Sequence, residues 1–520
     1  MEVNKTDNTR RLAKNTIYLY FRSIFCLILS LYSSRLILHA LGVDDYGVNN
    51  VVAGFASMFT LVTGSLSTAI SRFLTFELGT GNKSRQKQVF SISLTLMAGF
   101  SLFILLLAVT IGHWYVLHKM TIPAGRETAA LWAFYCAIFS VITGLLASPF
   151  NSSIIAHEKM GIYAVLNIIE AILRLALALY LVFGTYTVDR LILYAVVWTI
   201  CNILMRAYAA FYALSKFEEC QLRPYFESSL FKRLFSFAGW NFMSSVSGTL
   251  SGQGVNLLIN FFNGPAVNAA RGLSDTVQNS VAIFVNNFTI ALTPQITKSF
   301  AAGDMSYVKY LTYRGSRFAF YIMFLISLPV ILEADFVFTL WLGDVPEHTV
   351  NFNRLALIAC LTGLFSSVFT TVQNASGNIR GLKLAMSIIS LLIFPFTWFF
   401  LKIGTAPEVV YLLFIAAAVA NIFATHYYVS KTMDYGVREL FREVYFPEFK
   451  VIVCSTLLPL LSILLLPYGW WRFLITGFLC VACTIPSVLY LGCSAAERQF
   501  IGNAFRSFIT RTFVRNSHHA

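Results

Sequence analysis

Long apolar runs separated by short polar breaks extend from about residue 15 to residue 493. A membrane-spanning helix needs roughly 20 apolar residues, and most of these runs reach that length. We predict fourteen spanning helices, with twelve or thirteen as alternatives, because the runs near 309–334 and 449–493 are not clearly separated. The predicted spans are 15–40, 46–79, 88–112, 127–150, 161–184, 188–216, 231–262, 266–298, 309–334, 352–374, 382–403, 408–431, 449–467 and 471–493.

Two of the predicted helices, which together cover 231–303, carry stripes of polar residues and are joined at Asn263-Gly264-Pro265. The first stripe contains Asn241, Ser245, Thr249, Gln253, Asn256 and Asn260, and the second contains Arg271, Asp275, Gln278 and Asn286. Steps of three or four residues place each stripe on one helix face. Lipid does not solvate such groups, so we expect them to face a protein interior or a water-filled cavity. We interpret that cavity as the functional site.

The first half of the chain matches the second weakly, at an offset of 222 residues. The matching positions are Gly42 with Gly264, Thr75 with Thr297, 79–82 with 301–304 and, at an offset of 220, Gly161 with Gly381. Because these matches fall at helix starts and turns, they favour an internal duplication. Six helices in each half would make the repeat parallel, related by an axis along the membrane normal.

The longest polar break before the middle of the chain, at 217–230, is interpreted as a cytoplasmic linker between the two halves. It would separate an N-terminal six-helix bundle, 1–216, from a second six-helix bundle, 231–433. The remaining segment, 434–520, would add two transmembrane helices and a basic cytoplasmic tail. The predicted fold class is therefore an all-α integral membrane protein of about fourteen helices, built from two parallel-repeat bundles and a C-terminal pair.

The composition supports the membrane class. The chain is 57% hydrophobic and 12% charged, with a mean hydropathy of +0.69, whereas a soluble protein carries roughly 25% charged residues. A transmembrane barrel would need short strands with alternating hydrophobicity, which the long continuous runs do not provide. Helices are therefore strongly favoured.

The net charge of +14 is distributed in a way that indicates membrane orientation. Of the 38 Lys and Arg residues, 26 fall in loops on the side of the N-terminus, six fall on the other side and six lie within spans. By the positive-inside rule, this bias predicts that both termini are cytoplasmic. No long Lys/Arg-rich tract is present in the sequence, so we expect no nucleic-acid partner.

The sequence contains no convincing enzyme or metal motif. The nine cysteines are scattered, and the pair Cys480 and Cys483 lies inside an apolar run, where small-residue packing is the simpler explanation. The eight histidines form no HExxH-type cluster, and no P-loop occurs. We therefore expect neither an enzyme nor a cofactor, and coupling to H⁺ or Na⁺ remains the open possibility.

Charged residues within the predicted spans favour an anionic ligand. Six arginines lie there: Arg22, Arg35, Arg72, Arg174, Arg206 and Arg271. The acids at depth are Glu77, Glu170 and Asp275. A cationic cavity suits an anion, and guanidinium groups bind phosphate through paired hydrogen bonds.

The spacing of these charges suggests more than one role. Both Glu170 with Arg174 and Arg271 with Asp275 are spaced for ion pairs between residues four apart, and the first pair has helix packing as its alternative role. Arg206 lies close enough to a helix end to reach the membrane surface, and Arg35 has the outer headgroups as an alternative partner.

The stretch 34–47, SRLILHALGVDDYG, followed by an apolar helix that ends in SRFL at 71–74, resembles the opening of Wzx-type polysaccharide flippases. These belong to the multidrug/oligosaccharidyl-lipid/polysaccharide exporter (MOP) superfamily. The resemblance implies a V-shaped pair of six-helix bundles in the bacterial inner membrane. It also implies translocation of undecaprenyl-diphosphate-linked oligosaccharide, with two further helices that accommodate the polyprenyl tail. By the same resemblance, the arginines that engage the diphosphate are Arg22, Arg35, Arg72 and Arg271.

Such a protein would work by alternating access and would make or break no bond. The candidates for a proton- or sodium-binding group are Asp275, Glu170 and Glu77. Expected partners are the lipid-linked glycan, membrane lipid, and a polysaccharide polymerase with its assembly proteins. Two alternatives remain open: an ion-coupled small-molecule or drug antiporter of the same superfamily, and a membrane scaffold for glycan assembly that transports nothing.

Overall fold

The computed structural model describes the backbone of residues 2–118, 125–185, 188–221, 225 and 227–499. Side chains are described from residue 18 onwards, except at many positions between 27 and 62 and at 115, 265 and 269. The predicted site residue Arg35 lies outside the described side chains.

Helices account for nearly all of this backbone, and no strand occurs in the described part of the chain. The first eight helices are α1 (Glu2–Thr80), α2 (Lys83–Leu107), α3 (His113–His118), α4 (Glu127–Ala156), α5 (Met160–Phe183), α6 (Arg190–Lys216), α7 (Ser228–Ala301) and α8 (Met305–Leu332). The others are α9 (Ala334–Leu342), α10 (Thr349–Ser376), α11 (Arg380–Lys402), α12 (Val409–Met433), α13 (Val437–Leu440), α14 (Phe446–Leu465) and α15 (Trp470–Ser487).

The two longest helices are each broken by a glycine at the predicted position. In α1 the break is Gly42, with φ +78° and ψ 173°, and in α7 it is Gly264, with φ +85° and ψ 174°. A residue with a Cβ rarely adopts this backbone conformation, so glycine at both positions permits the kink. The two halves therefore share a helix break of the same geometry, 222 residues apart.

The turns that follow these helices also correspond. Gly81 has φ +73°, and Gly303, at the same offset of 222, has φ +77°. The next residue caps the following helix in both halves. The side chain of Asn82 accepts a hydrogen bond from the backbone N–H of Arg85 at 3.0 Å, and that of Asp304 accepts one from Tyr307 at 3.0 Å. The predicted duplication is thus visible in backbone conformation and in capping.

Ten described helical segments are long and apolar enough to cross a membrane. The kinked helices α1 and α7 are not among these ten, and the polar stripes of α7 lower its hydropathy. Helices α1 and α7 each contain two long segments, one on either side of the glycine break. These four segments and the ten apolar helices together equal the fourteen spans predicted from the sequence. The chain is a multi-pass, all-α membrane protein.

Three features were not predicted. The ninth predicted span, 309–334, begins a turn earlier than expected, since α8 runs over Met305–Leu332, and the short helix α9 follows it. Wide π-type turns occur at 108–112, 441–445 and 488–492, each continuous with an adjoining helix. Hydropathy does not register such local changes of helix geometry, because they leave the apolar run intact.

The chain forms two compact units. The first unit comprises 1–250, 287–308 and 371–388, and the second comprises 251–286, 309–370 and 389–520. Helices α7, α10 and α11 each contribute to both units, so the units are not simply the two halves of the repeat. The division of the chain at the linker 217–230 stays a prediction.

The core of the first unit joins segments that are distant in sequence. Phe90 of α2 packs edge-to-face on Phe150 of α4, with ring centroids 5.2 Å apart. Phe73 of α1 meets Phe237 of α7 in the same manner at 5.9 Å. These rings belong to one buried apolar cluster, and they fix the position of the end of α1, which carries Arg72.

Candidate functional site

The first unit contains two adjoining cavities, of about 630 Å³ and about 670 Å³. We call them the first and the second cavity. Thr63, Ser67, Gly144 and Arg206 line both, so the two cavities share part of their wall inside this unit. A volume of this size is typical of sites for small molecules or headgroups.

Hydroxyl and amide side chains dominate the wall of the first cavity. Its polar lining consists of Thr63, Ser67, Thr68, Ser71, Arg72, Thr75, Ser148, Asn151, Ser152, Tyr163, Arg206, Thr289, Thr293, Thr297, Thr371 and Asn374. This lining includes two arginines and no carboxylate. The hydroxyls of Thr68 and Thr293 donate to the carbonyls four residues before them, at 2.8 Å in both cases, which leaves their oxygens available as acceptors.

Arg72 lies at one end of this space, against the C-terminal end of α10. Its Nη2 donates to the carbonyl of Ala375 at 2.8 Å and its Nε to that of Asn374 at 3.2 Å. The guanidinium carbon lies 4.5 Å from the ring centroid of Phe73 and 5.7 Å from that of Phe237. The last carbonyls of a helix lack intrahelical partners and carry partial negative charge, so a cation is stabilised there.

Arg206 lies where the two cavities meet. It donates to the carbonyl of Ser140 and, at 2.6 Å, to the hydroxyl of Thr143. Its guanidinium lies beside Gly144, where an added Cβ would be 3.3 Å from the guanidinium carbon. Arg206 therefore lies in the wall that the two cavities share, and its reach to the membrane surface stays a prediction.

Arg174 lines the second cavity and lies over the ring of Trp198, with 5.7 Å between the guanidinium carbon and the ring centroid. Its Nε is buried and has no hydrogen-bond partner. Among the ion pairs formed by the described residues, none joins Arg174 to Glu170, although their spacing predicts one. Together with Arg72 and Arg206, Arg174 makes this cavity system cationic.

Arg22 is held between two segments of the first unit. Its Nη2 donates to Oδ1 of Asn287 at 2.8 Å, and the guanidinium lies 5.3 Å from the ring centroid of Tyr163. Asn287 also donates to the hydroxyl of Ser23 at 2.7 Å. Tyr163 lines the first cavity, so Arg22 lies directly behind part of its wall. Asn286, which was predicted to line the cavity and directly precedes Asn287, is exposed, because successive helical residues point in directions about 100° apart.

In the second unit, Arg271 and Asp275 form the predicted pair, with 3.6 Å between Nε and Oδ2. Arg271 is only 4% exposed, and its Nε and Nη1 have no hydrogen-bond partner. The hydroxyl of Tyr411 donates to Oδ1 of Asp275 at 3.1 Å, and the guanidinium carbon lies 5.7 Å from the ring centroid of Phe414. This pair lies in a different unit from Arg22 and Arg72.

The predicted amide residues lie elsewhere, since none of the six lines the two cavities. Asn241, in the first unit, is buried and donates to the carbonyl of Phe237 within its own helix. The other five belong to the second unit: Gln253, Asn256, Asn260, Gln278 and Asn286. Of these, Asn256 donates to Gln253 at 3.4 Å.

Glu77 accepts a hydrogen bond from the hydroxyl of Thr80 at 3.3 Å and does not line either cavity. Among the described residues, no group of three or more His, Cys, Asp or Glu side chains could hold a metal ion.

Two groups of the site could have been found only in part from the sequence. Arg174 and Arg206 are visible as arginines at depth, but their place in one cavity depends on how α4, α5 and α6 pack. The hydroxyls of Thr289, Thr293 and Thr297 recur at a spacing of four on one face of α7. This spacing is the sequence pattern that could have identified them as cavity-lining residues.

Comparison with known proteins supports the interpretation of the fold. A family model described as polysaccharide biosynthesis protein matches residues 12–303, which is more than half of the chain. Among curated proteins, none matches the sequence.

Several solved structures share the fold at low sequence identity. An outward-facing multidrug-resistance MATE family transporter of the MOP superfamily is 11% identical, with a TM-score of 0.69, and the match covers 84% of this chain and 97% of that one. A MOP superfamily transporter from Pyrococcus furiosus is 11% identical, with a TM-score of 0.68, and the match covers 82% of this chain and 97% of that one. A variant of the Vibrio cholerae MATE transporter VcmN is 19% identical, with a TM-score of 0.65, and the match covers 84% of this chain and 97% of that one. The chain therefore has the fold of these transporters.

Proposed function

Because the chain belongs to the polysaccharide biosynthesis protein family, we propose that it flips oligosaccharide units linked to undecaprenyl diphosphate across the bacterial inner membrane. The direction is from the cytoplasmic leaflet to the outer leaflet, and the product serves synthesis of O-antigen, capsule or exopolysaccharide. The transporter fold is consistent with such a task, because a fold of this kind can expose one site alternately to each side of the membrane.

The observation that carries the proposal is the cationic, hydroxyl-lined cavity system of the first unit. Arg72, Arg174 and Arg206 supply positive charge there, and no carboxylate lines either cavity. Guanidinium groups match the oxygens of a diphosphate, and hydroxyl and amide oxygens match the hydroxyls of a sugar. A carrier of organic cations would instead be expected to place acidic groups in the corresponding wall.

The physical need for such a cavity follows from the substrate. A charged sugar-diphosphate headgroup loses its hydration when it enters hydrocarbon, at a cost far too large for unaided crossing. A polar cavity replaces the lost water with fixed donors and acceptors, while the polyprenyl tail stays in the bilayer. The C-terminal pair α14 and α15 is proposed to lie along that tail, since many of its apolar side chains are exposed.

The loop charges support an orientation with both termini in the cytoplasm. A polysaccharide polymerase and its assembly proteins are the proposed partners, and H⁺ or Na⁺ is the proposed coupling ion. Asp275, Glu170 and Glu77 remain the proposed ion-binding candidates from the sequence, and Asp275 has a buried cation and a tyrosine hydroxyl beside it.

The test is deletion of the gene in its host, followed by complementation with variants. Deletion should abolish surface polysaccharide and cause lipid-linked repeat units to accumulate, and the wild-type gene should reverse both effects. The cavity variants Arg72→Ala and Arg174→Ala should each restore less glycan, and so should Arg22→Ala and Arg271→Ala at the other arginines predicted from the sequence. Arg85→Gln serves as the control, because its partner Glu227 lies outside the cavities.

Normal glycan in the deletion strain would contradict the proposal, and drug sensitivity in that strain would favour the antiporter. If Arg72→Ala and Arg174→Ala are both present at normal levels and support normal surface polysaccharide, the cationic cavity does not bind the substrate.

A further inference from the structure

A glutamate of the C-terminal helix pair is buried in the second unit without a hydrogen-bond partner. Glu448, near the start of α14, is 0% exposed, and neither of its carboxyl oxygens has a partner. A buried carboxylate that accepts no hydrogen bond is far less stable than the neutral acid, so such a group takes up a proton. The neutral, protonated form of Glu448 therefore fits this conformation.

The groups around Glu448 come from several neighbouring elements. Arg317 and Tyr321 of α8 and Tyr445, which directly precedes α14, lie within electrostatic range of its carboxyl group. His426 of α12 is hydrogen-bonded to the hydroxyl of Tyr445. Arg317 is the cation of this set, so it is the group that an ionised Glu448 would attract.

Arg317 is engaged elsewhere in this conformation. Its Nη2 donates to Oε1 of Glu497 at 2.7 Å, and its Nη1 donates to the carbonyl of Gly492 at 3.0 Å. Glu497 is 3% exposed and also pairs with Arg314. The C-terminal segment 492–497 is thus fastened to α8 by buried charges.

A second contact brings this segment close to the helix. The hydroxyl of Tyr321 donates to the carbonyl of Gly492 at 3.3 Å, and a Cβ added at Gly492 would lie 2.7 Å from that hydroxyl oxygen. The Nε of Arg317 is buried without a partner, while Glu448 has two unpartnered oxygens. Arg317 therefore has two possible carboxylate partners, Glu497 and Glu448, and it is bound to Glu497.

We propose that Glu448 is a proton-binding site that controls the attachment of the C-terminal segment 492–497 to α8. When the carboxyl group gives its proton to water, the buried negative charge draws Arg317 away from Glu497. Arg314 then holds Glu497 without Arg317, so the attachment of the segment to α8 is weakened and the segment opens more often. When a proton returns to Glu448, Arg317 returns to Glu497. The O–H bond of Glu448 is the only covalent bond that changes. The site does not depend on the identity of the transported substrate.

Cys493 provides a native reporter, because it lies within the segment and is buried. The full-length protein is purified with its other cysteines replaced by serine, and the rate of maleimide labelling is measured from acidic to mildly alkaline pH. Each rate is divided by the rate for the denatured protein at the same pH, which removes the effect of thiol ionisation. The matched control is Asp335→Asn, which neutralises a carboxyl group of the second unit that pairs with Arg354.

The normalised rate should rise with pH by up to about tenfold per pH unit, as expected when one proton is released on opening. Glu448→Gln imitates the protonated state, so it should fold normally and stay slowly labelled at every pH. Glu497→Gln should label rapidly at every pH, and Asp335→Asn should behave as the wild type. The proposal is overturned if Glu448→Gln keeps the wild-type pH dependence, labels rapidly throughout or fails to fold.

Discussion

Nη2 of Arg72 donates to the carbonyl of Ala375 at 2.8 Å, which fastens the end of α1 to the C-terminal end of α10. The same arginine lines the first cavity. Two of its five N–H donors are thus occupied by helix carbonyls, and this contact closes one end of the cavity. A diphosphate that used either donor would compete with those carbonyls, so under the proposed function substrate binding at Arg72 would favour opening of this end.

Arg72→Gln is expected to weaken this closure. A hydrogen bond from a charged donor contributes about 2 kcal/mol, so its loss should increase the open population by roughly thirtyfold. The measurement is maleimide labelling of a cysteine introduced at Thr371, which lines the first cavity and is 7% exposed. Labelling should be faster in the Gln variant, and Arg72→Lys should lie between it and the wild type. Equal rates in all three would show that Arg72 does not hold this end closed.

Gly79→Ala tests the contact between the ends of α1 and α7. A Cβ at residue 79 would lie 2.6 Å from the carbonyl oxygen of Lys298 and 2.7 Å from the Cβ of Ala301. The helix ends must separate to accommodate it, at a cost of about 1–3 kcal/mol. The apparent Tm in detergent should fall.

The matched control is Gly99→Ala in α2, where an added Cβ meets nothing within 4 Å. This change should be neutral or stabilise the protein by about 0.5–1 kcal/mol. If the two alanine variants show the same Tm, the close approach of the helix ends does not contribute to stability.

Arg206→Ala should impair function, although Arg206 was not among the four arginines predicted to engage the diphosphate. The change removes a cation from the junction of the two cavities and leaves the carbonyl of Ser140 and the hydroxyl of Thr143 without this donor. Surface glycan in a complemented deletion strain should drop by at least roughly tenfold, since one charge-assisted contact contributes about 1.5–3 kcal/mol. Arg206→Lys should recover part of the activity, whereas full activity of the Ala variant would remove Arg206 from the site.

A pH effect is expected at the loop that carries Arg126. Burial raises the pKa of Asp189, but hydrogen bonds from Arg126 and from the backbone N–H groups of Ile192 and Leu191 outweigh it, so the pKa lies below its ordinary value. A carboxyl group with a depressed pKa stabilises the fold above its unfolded pKa of about 3.9, and this contribution is lost as the pH falls further.

Thermal unfolding should therefore show a loss of stability below about pH 4 that is smaller in Asp189→Asn. The variant should already be less stable at neutral pH. Glu347→Gln is a suitable control, because its side chain is 92% exposed. Identical acid sensitivity of wild type and Asp189→Asn would show that the interaction with Arg126 does not contribute.

The Arg126–Asp189 ion pair of the first half has a counterpart in the second half, at the starts of the corresponding helices. Arg126 precedes α4 and is bonded to Asp189 before α6, and His348 precedes α10 and is bonded to Glu408 before α12 at 2.6 Å. The residue types differ, yet both pairs join the starts of the fourth and sixth helices of a half. Sequence comparison alone did not reveal this correspondence, because no side chain is shared.

The sequence by itself determined the class and the segments of this protein. Length and apolarity of a run decide whether it can span a membrane, and the breaks at Gly42 and Gly264 depend on local backbone freedom. Both are properties of neighbouring residues, so they can be read without a tertiary structure. The excess of arginine at depth was also visible.

Only the tertiary structure decided which of these charges share a cavity. Helical spacing assigns a residue to a face, but the neighbour of that face depends on packing between segments far apart in sequence. Arg22 therefore meets Asn287, which was not among the predicted site residues, Arg206 lies in the cavity wall, and Arg271 lies in the other unit. Arg174 lies over the ring of Trp198 on α6 and forms no ion pair with Glu170 among the described residues.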